Sequence, residues 1–379
     1  MEIQSRKMDA NTSQRITALR FLLIIFVVFM HNNFTVESIA EGVAKGGSAV
    51  LFNQGIFGRW LQLFISAGIA RGAVPLFMLF AAYLQEIKND PYPILLKKKT
   101  KSLFIPFILW SVFYIVSLNG LKLLLIHFFP SFVQRPDLTL LNWSVQDWFY
   151  SILGYADCFD CEINQPMIVF QFWFLRDLII LIIISPILRF AIRKYPIAFL
   201  CTISFVHIMS LSVYFVETQA LFYYSLGLYW GIYDIPLFEK IDKISWMESV
   251  LIFLFSFFLT WKFFFYNSTV YWLMVFAACQ ILLKLSSMIV AYEKVFKTAS
   301  YFASFSFFLF AVHAPILQSA IQRIWLFFFP MKNQFFCIFE YFGVNILTIL
   351  IGTGAGILLW KLCPRFFGLI TGGRSKVSS

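Results

Sequence analysis

Ten apolar residues, Phe21 to Met30, separate Arg20 from His31 in the stretch TALRFLLIIFVVFMHNNF. A guanidinium holds phosphate through paired, charge-assisted hydrogen bonds. An imidazole, with an unperturbed pKa of ~6.5, takes or gives a proton near neutral pH. If the stretch is helical, eleven steps of ~100° amount to three turns plus about 20°, so both side chains lie on one stripe, ~16 Å apart along the axis. Such a stripe could meet a ligand at Arg20 while His31 waits deeper. The spacing alone is equally consistent with Arg20 snorkelling to headgroups and His31 capping the outer end of the helix.

Other polar residues lie where apolar sequence surrounds them. Ionisable groups in such places are costly unless they face partners or water, which makes them functional candidates. Arg71 directly precedes GAVPLF, and Arg176 is followed by Asp177 near the start of another apolar run. These charges either line an external cavity or form an interhelical salt bridge. His313 stands two residues before Pro315, whose ring can kink a helix and free a backbone carbonyl. It either assists His31 or packs as a satisfied core histidine. Cys158 and Cys161 read CFDC, which fits a local disulfide in an oxidising compartment. No further ligands stand at zinc-site spacing, so no metal is expected. His127 and His207 have no context that assigns them a role.

The elements that position these residues follow from composition. The 379 residues are 60% hydrophobic, 20% aromatic and 13% charged, and mean hydropathy is +0.79. Soluble domains carry roughly twice that charge, so a soluble globular enzyme, a disordered chain and a disulfide scaffold are all excluded. The apolar runs have helical span length and lack the ~10-residue alternation of a transmembrane barrel. The fold expected is an all-α polytopic membrane helix bundle of about ten spans, near residues 16–35, 64–86, 102–127, 170–188, 196–216, 218–236, 246–266, 269–290, 302–327 and 335–360. Residues 36–62 read as an external loop that could hold an interfacial helix, and 130–168 as a long external loop. The net charge of +11 collects at alternate ends of the runs, most densely at Lys97, Lys98, Lys99 and Lys101. That pattern places both termini in the cytoplasm, with no nucleic-acid partner. The whole chain, 1–379, reads as a single membrane domain, with a cytoplasmic segment at 1–15 and a tail at 361–379.

Five segments, in order, resemble the acyltransferase 3 family of integral-membrane O-acyltransferases. They are TALRFLLIIFVVFMHNNF, RGAVPLFMLFAAYL, KKKTKSLFIPFILW, FWFLRDLIILIIISPIL and SFSFFLFAVHAPIL. One departure is Ala81-Ala82, where members of the family often carry Ser-Gly. The resemblance implies transfer of an acyl group, usually acetyl, from acetyl-CoA as co-substrate to a hydroxyl of an envelope polysaccharide, lipid-linked sugar or similar acceptor. It places the protein in the inner, or plasma, membrane of a bacterium, with membrane lipid as its other partner. His31 would then be the catalytic base or an acyl-accepting nucleophile. Arg20, with Lys98, Lys99 and Lys101, would hold the CoA phosphates, although the lysines serve equally as a lipid anchor. Arg71, Arg176, Asp177 and His313 would lie on the acceptor side or be structural, and Trp173 could stack on a sugar ring. A transporter or flippase for lipid-linked glycans is the alternative, and it would more often show two similar halves with broken helices, a repeat not found in this sequence.

Overall fold

The Asp9 carboxylate accepts hydrogen bonds from the backbone N–H groups of Asn11 (3.0 Å) and Thr12 (2.9 Å), donors that a helix start leaves unpaired. The helix so begun, α1, spans Ala10–His31 in the computed structural model. Residues 8–32, 55–128, 143–154, 167, 169–211, 213, 216–263, 269–330 and 333–373 are described. After α1 come α2 (Gly55–Lys88), α3 (Tyr92–Phe128), α4 (Val145–Leu153), α5 (Trp173–Lys194), α6 (Pro196–Ile208) and α7 (Thr218–Ile232). The chain continues with α8 (Leu237–Asp242), α9 (Trp246–Lys262), α10 (Thr269–Ala291), α11 (Glu293–Ala303), α12 (Ser306–Phe328), α13 (Gln334–Leu362) and α14 (Pro364–Ile370). No strand occurs among the described residues.

Among the described residues six helices, α1, α2, α3, α10, α12 and α13, are long and apolar enough to cross a membrane. Helices also occupy the other stretches read as spans. Of these, α6, α7 and α9 have 13, 15 and 17 residues, and α5 carries charges near both ends. Two external boundaries differ from the sequence reading. Helix α2 begins at Gly55, where the sequence allowed a separate interfacial helix and the chain instead runs on into the span, and α4 forms within the second loop behind a capping box of Ser144 and Asp147.

Helix α1 is the hub. Leu19, Leu23 and Val28 are fully buried, and α2, α10, α11, α12 and α13 all pack on it. Its start is clamped by Arg15, whose guanidinium donates to both Asp242 oxygens (2.5 and 2.9 Å), to Ser286 Oγ (2.8 Å) and to the Leu283 carbonyl (2.9 Å). The Phe238 ring covers it at 4.0 Å. Helix α7 lies so close to α2 that a Cβ at Gly227 would stand 2.3 Å from the Leu79 carbonyl oxygen and 3.0 Å from Ala82 Cβ.

Two spans are broken where the site lies. In α2 the α-helix widens over Leu63–Gly68 and tightens over Ile69–Gly72 before resuming at Ala73. In α12 the break covers His313–Leu317. Pro315 disfavours helical backbone in the residue before it, and Ala314 is extended (φ −130°, ψ 158°). Carbonyls near this break find side-chain donors, Tyr114 Oη on Ala311 (3.0 Å) and Gln171 Nε2 on Ala314.

Candidate functional site

A cavity of about 590 Å³ opens between α1, α2, α3, α5, α11 and α12. Ile16, Arg20, Ile24 and Val27 line it from α1 at helical spacing, and His31 follows one turn beyond Val27. Arg20 is exposed to this space, and Lys99 enters it from the start of α3. The hydroxyls of Thr17, Ser300 and Ser304 share the same lining. Phe77, Phe174, Phe307 and Phe310 form an aromatic wall. The cavity therefore combines two cations and hydroxyl groups with an aromatic wall.

Two histidines lie next to that aromatic wall. The rings of His31 and His313 are 5.2 Å apart between centroids, tilted by 36°, and Phe310 lies 6.0 Å from His313. His313 is fully buried. Its Nδ1 faces the carbonyls of Phe310 (2.8 Å) and Leu309 (3.2 Å), so it must carry the proton and donate it. That tautomer leaves Nε2 as a lone-pair nitrogen, buried and without a hydrogen-bond partner among the described residues. The short turn Phe170–Phe172 walls the pair. Phe170 meets His31 edge-on at 5.0 Å, Gln171 holds the broken helix at Ala314, and Phe172 stacks on Phe310 at 5.7 Å.

The candidate residues named from the sequence divide by position. Arg20 and Lys99 share the cavity, with His31 and His313 adjoining it. Lys98 is exposed and paired with Asp90 at 2.6 Å, while Lys97 and Lys101 are exposed away from the lining. Arg71 is half-buried in the tight turn of α2, which packs on α1 and α10. Arg176 pairs with Asp177 at 2.8 Å and donates to the Leu153 carbonyl at 2.7 Å. Asp177 in turn accepts the Glu217 backbone N–H at 2.9 Å, so the pair ties α4 to the start of α7. Trp173 is half-buried at the start of α5. Cys158 and Cys161 lie outside the described residues.

A buried polar group beside His31 escaped the sequence reading. Asn32 accepts from Gln322 Nε2 (3.3 Å), the same amide donates to Glu340 Oε1 (2.8 Å), and Gln62 Nε2 donates to the Asn32 carbonyl (3.1 Å). Gln318 bridges the Val28 carbonyl (3.0 Å) and Asn345 Oδ1 (2.8 Å). Glu340 is fully buried. The signal was present: an acid and an amide, five residues apart, interrupt the apolar run CIFEYFGVNIL.

The family model described as an acyltransferase domain, acyltransferase 3, matches residues 13–363. It takes in both histidines, the cavity and both broken helices, and the chain belongs to this acyltransferase family. Among curated proteins, the chain is similar to the succinoglycan biosynthesis protein ExoH of Rhizobium meliloti (strain 1021), with 27% identity over 248 residues, which is 63% of this chain. The match spans 59% of that relative's length. No solved structure matches the chain.

Proposed function

We propose that this protein is an integral-membrane O-acyltransferase that moves an acetyl group from acetyl-CoA to a hydroxyl of a cell-envelope polysaccharide or lipid-linked sugar. The observation that carries this reading is a cation-lined cavity with a histidine pair next to its aromatic wall. Two cations, Arg20 and Lys99, line the cavity, and Phe310 of its aromatic wall lies beside His313 of the pair. The name of the relative, a succinoglycan biosynthesis protein, supports a glycan acceptor. The reading includes about ten spans in a bacterial inner membrane, with both termini and the cation-lined cavity mouth on the cytoplasmic side.

In this account Arg20 and Lys99 hold the phosphates of the donor by charge-assisted hydrogen bonds, and the thioester end runs along Phe77, Phe174 and Phe310 toward His31. The acceptor hydroxyl oxygen attacks the thioester carbonyl carbon as His31 takes its proton. The C–S bond then breaks, and the proton passes to the departing thiolate. The test is binding and turnover of acetyl-CoA by the protein in nanodiscs. Arg20→Ala is expected to lose binding, and His31→Ala to bind and not turn over. A wild-type protein of intact fold that neither binds nor consumes acetyl-CoA, yet moves a lipid-linked glycan across vesicles, would identify a transporter instead.

A further inference from the structure

A helix leaves the carbonyls of its last turn without partners inside the helix. At the end of α1, where His31 stands, side chains from two other helices donate to this turn. From α2, Ser66 Oγ donates to the Phe29 carbonyl at 2.6 Å and Gln62 Nε2 to the Asn32 carbonyl at 3.1 Å. From α12, Gln318 Nε2 donates to the Val28 carbonyl at 3.0 Å and Gln322 Nε2 to the side-chain oxygen of Asn32 at 3.3 Å. Helix α13 backs this collar. Its Asn345 Oδ1 accepts from Gln318 at 2.8 Å, its Glu340 Oε1 accepts from Gln322 at 2.8 Å, and its Tyr341 hydroxyl meets Ser66 at 2.7 Å. Ser66, Glu340 and Asn345 are fully buried.

Gln318 and Gln322 stand four residues apart, which puts them on one face of α12. Each directs a single planar amide nitrogen at two acceptors, one on α1 and one on α13, so the orientation of each amide is set from both sides. The positions they grip, Val28 and Asn32, bracket His31. On the other side of the break at Pro315 the same helix carries His313, whose ring is 5.2 Å from that of His31. Helix α12 therefore meets α1 twice, by a histidine at His31 and by two amides around it. Each interhelical hydrogen bond adds little to the stability of a membrane bundle. Their concentration on the one turn that bears His31 points to placement of that residue.

We infer that Gln318 and Gln322 are positioning residues that hold His31 in register with His313. This rests on the acyltransferase reading, in which His31 takes the proton of the attacking hydroxyl. The amides touch neither donor nor acceptor. They fix the backbone on both sides of the base against the helix that carries its partner, and a displacement of about 1 Å at a reacting centre costs ~10²-fold in rate.

The experiment uses the full chain in nanodiscs with acetyl-CoA as the probe and water as the acceptor, reading thiol release in single turnovers and acetyl-CoA binding on the same samples. Methionine removes the amide at similar volume. Gln318→Met and Gln322→Met should each lose ~10²-fold in thiol release while Kd for acetyl-CoA stays within about threefold. A loss that runs through His31 disappears once His31 is gone, so in a His31→Ala background each substitution should cost less than about threefold. A merely structural role would lower the rate equally in both backgrounds. If Gln318→Met does not fold, Gln322→Met, at a half-buried position, decides the matter. A folded Gln322→Met that releases thiol within about threefold of wild type overturns the proposal, as does an equal loss in both backgrounds or a loss of acetyl-CoA affinity beyond about tenfold. A folded wild type that releases no thiol overturns the acyltransferase reading itself, a result read before any variant is compared.

Discussion

Replacing Arg20 by alanine tests how the donor is held. Arg20 and Lys99 are the cations lining the cavity, whereas Lys98 is engaged by Asp90 and Lys101 is exposed elsewhere. A hydrogen bond to a charged group contributes ~1.5–3 kcal/mol, and each 1.4 kcal/mol is tenfold in affinity, so Arg20→Ala should weaken acetyl-CoA binding by roughly 10–100-fold. Arg20→Lys should recover part of this, because it keeps a point charge but not the paired donors. Lys97→Ala and Lys101→Ala should change Kd by less than about threefold, as expected of exposed charges outside the lining. Titration calorimetry in nanodiscs at fixed ionic strength measures these values, with pantetheine acetate thioester as the phosphate-free control. That control should bind wild type and Arg20→Ala alike. An Arg20→Ala affinity within threefold of wild type, or an equal loss in Lys101→Ala, would refute the placement of the donor phosphates.

Three further outcomes follow from packing and capping. Gly227→Ala puts a Cβ 2.3 Å from the Leu79 carbonyl oxygen and should cost ~1–3 kcal/mol of stability by overpacking. Gly120→Ala, with nothing within 4 Å of the new Cβ, should be neutral or stabilising by up to ~1 kcal/mol, and thermal melts of the two variants check the contrast. Arg15→Ala removes the clamp between α1, α8 and α10 and should cost ~1.5–3 kcal/mol while leaving the acetyl-CoA affinity of the folded fraction unchanged. Hydrogen bonds from Thr12 and Asn11 hold the Asp9 carboxyl below its ordinary value of 3.8, so its contribution is complete above that pH and is lost as the pH falls through the lower, folded-state value. The stability difference between wild type and Asp9→Ala should therefore shrink on acidification below about pH 4, measured by denaturant titration across pH.

The stripe from Arg20 to His31 was legible because a helix converts spacing directly into a shared face, and Ile16, Ile24 and Val27 line the cavity along it. The all-helical class was legible from the length of the apolar runs. The partnering of His31 with His313 was one of two readings the sequence left open, because they stand 282 positions apart and meet through the break at Pro315. The lysine cluster divides by position, a division its uniform sequence does not show. Only Lys99 reaches the cavity, since neighbouring residues on a helix point about 100° apart. Glu340 was readable as an acid in an apolar run, but its link to Asn32 through Gln322 depends on tertiary packing of α12 against α13.

The most direct test of the central claim is single-turnover consumption of radiolabelled acetyl-CoA by wild type and His31→Ala in nanodiscs, with binding measured on the same samples. General base catalysis contributes ~10²–10⁴ in rate, so His31→Ala should retain the wild-type Kd and lose at least about a hundredfold in CoA release. Turnover in His31→Ala within threefold of wild type would contradict the account, because no other residue has been given the proton.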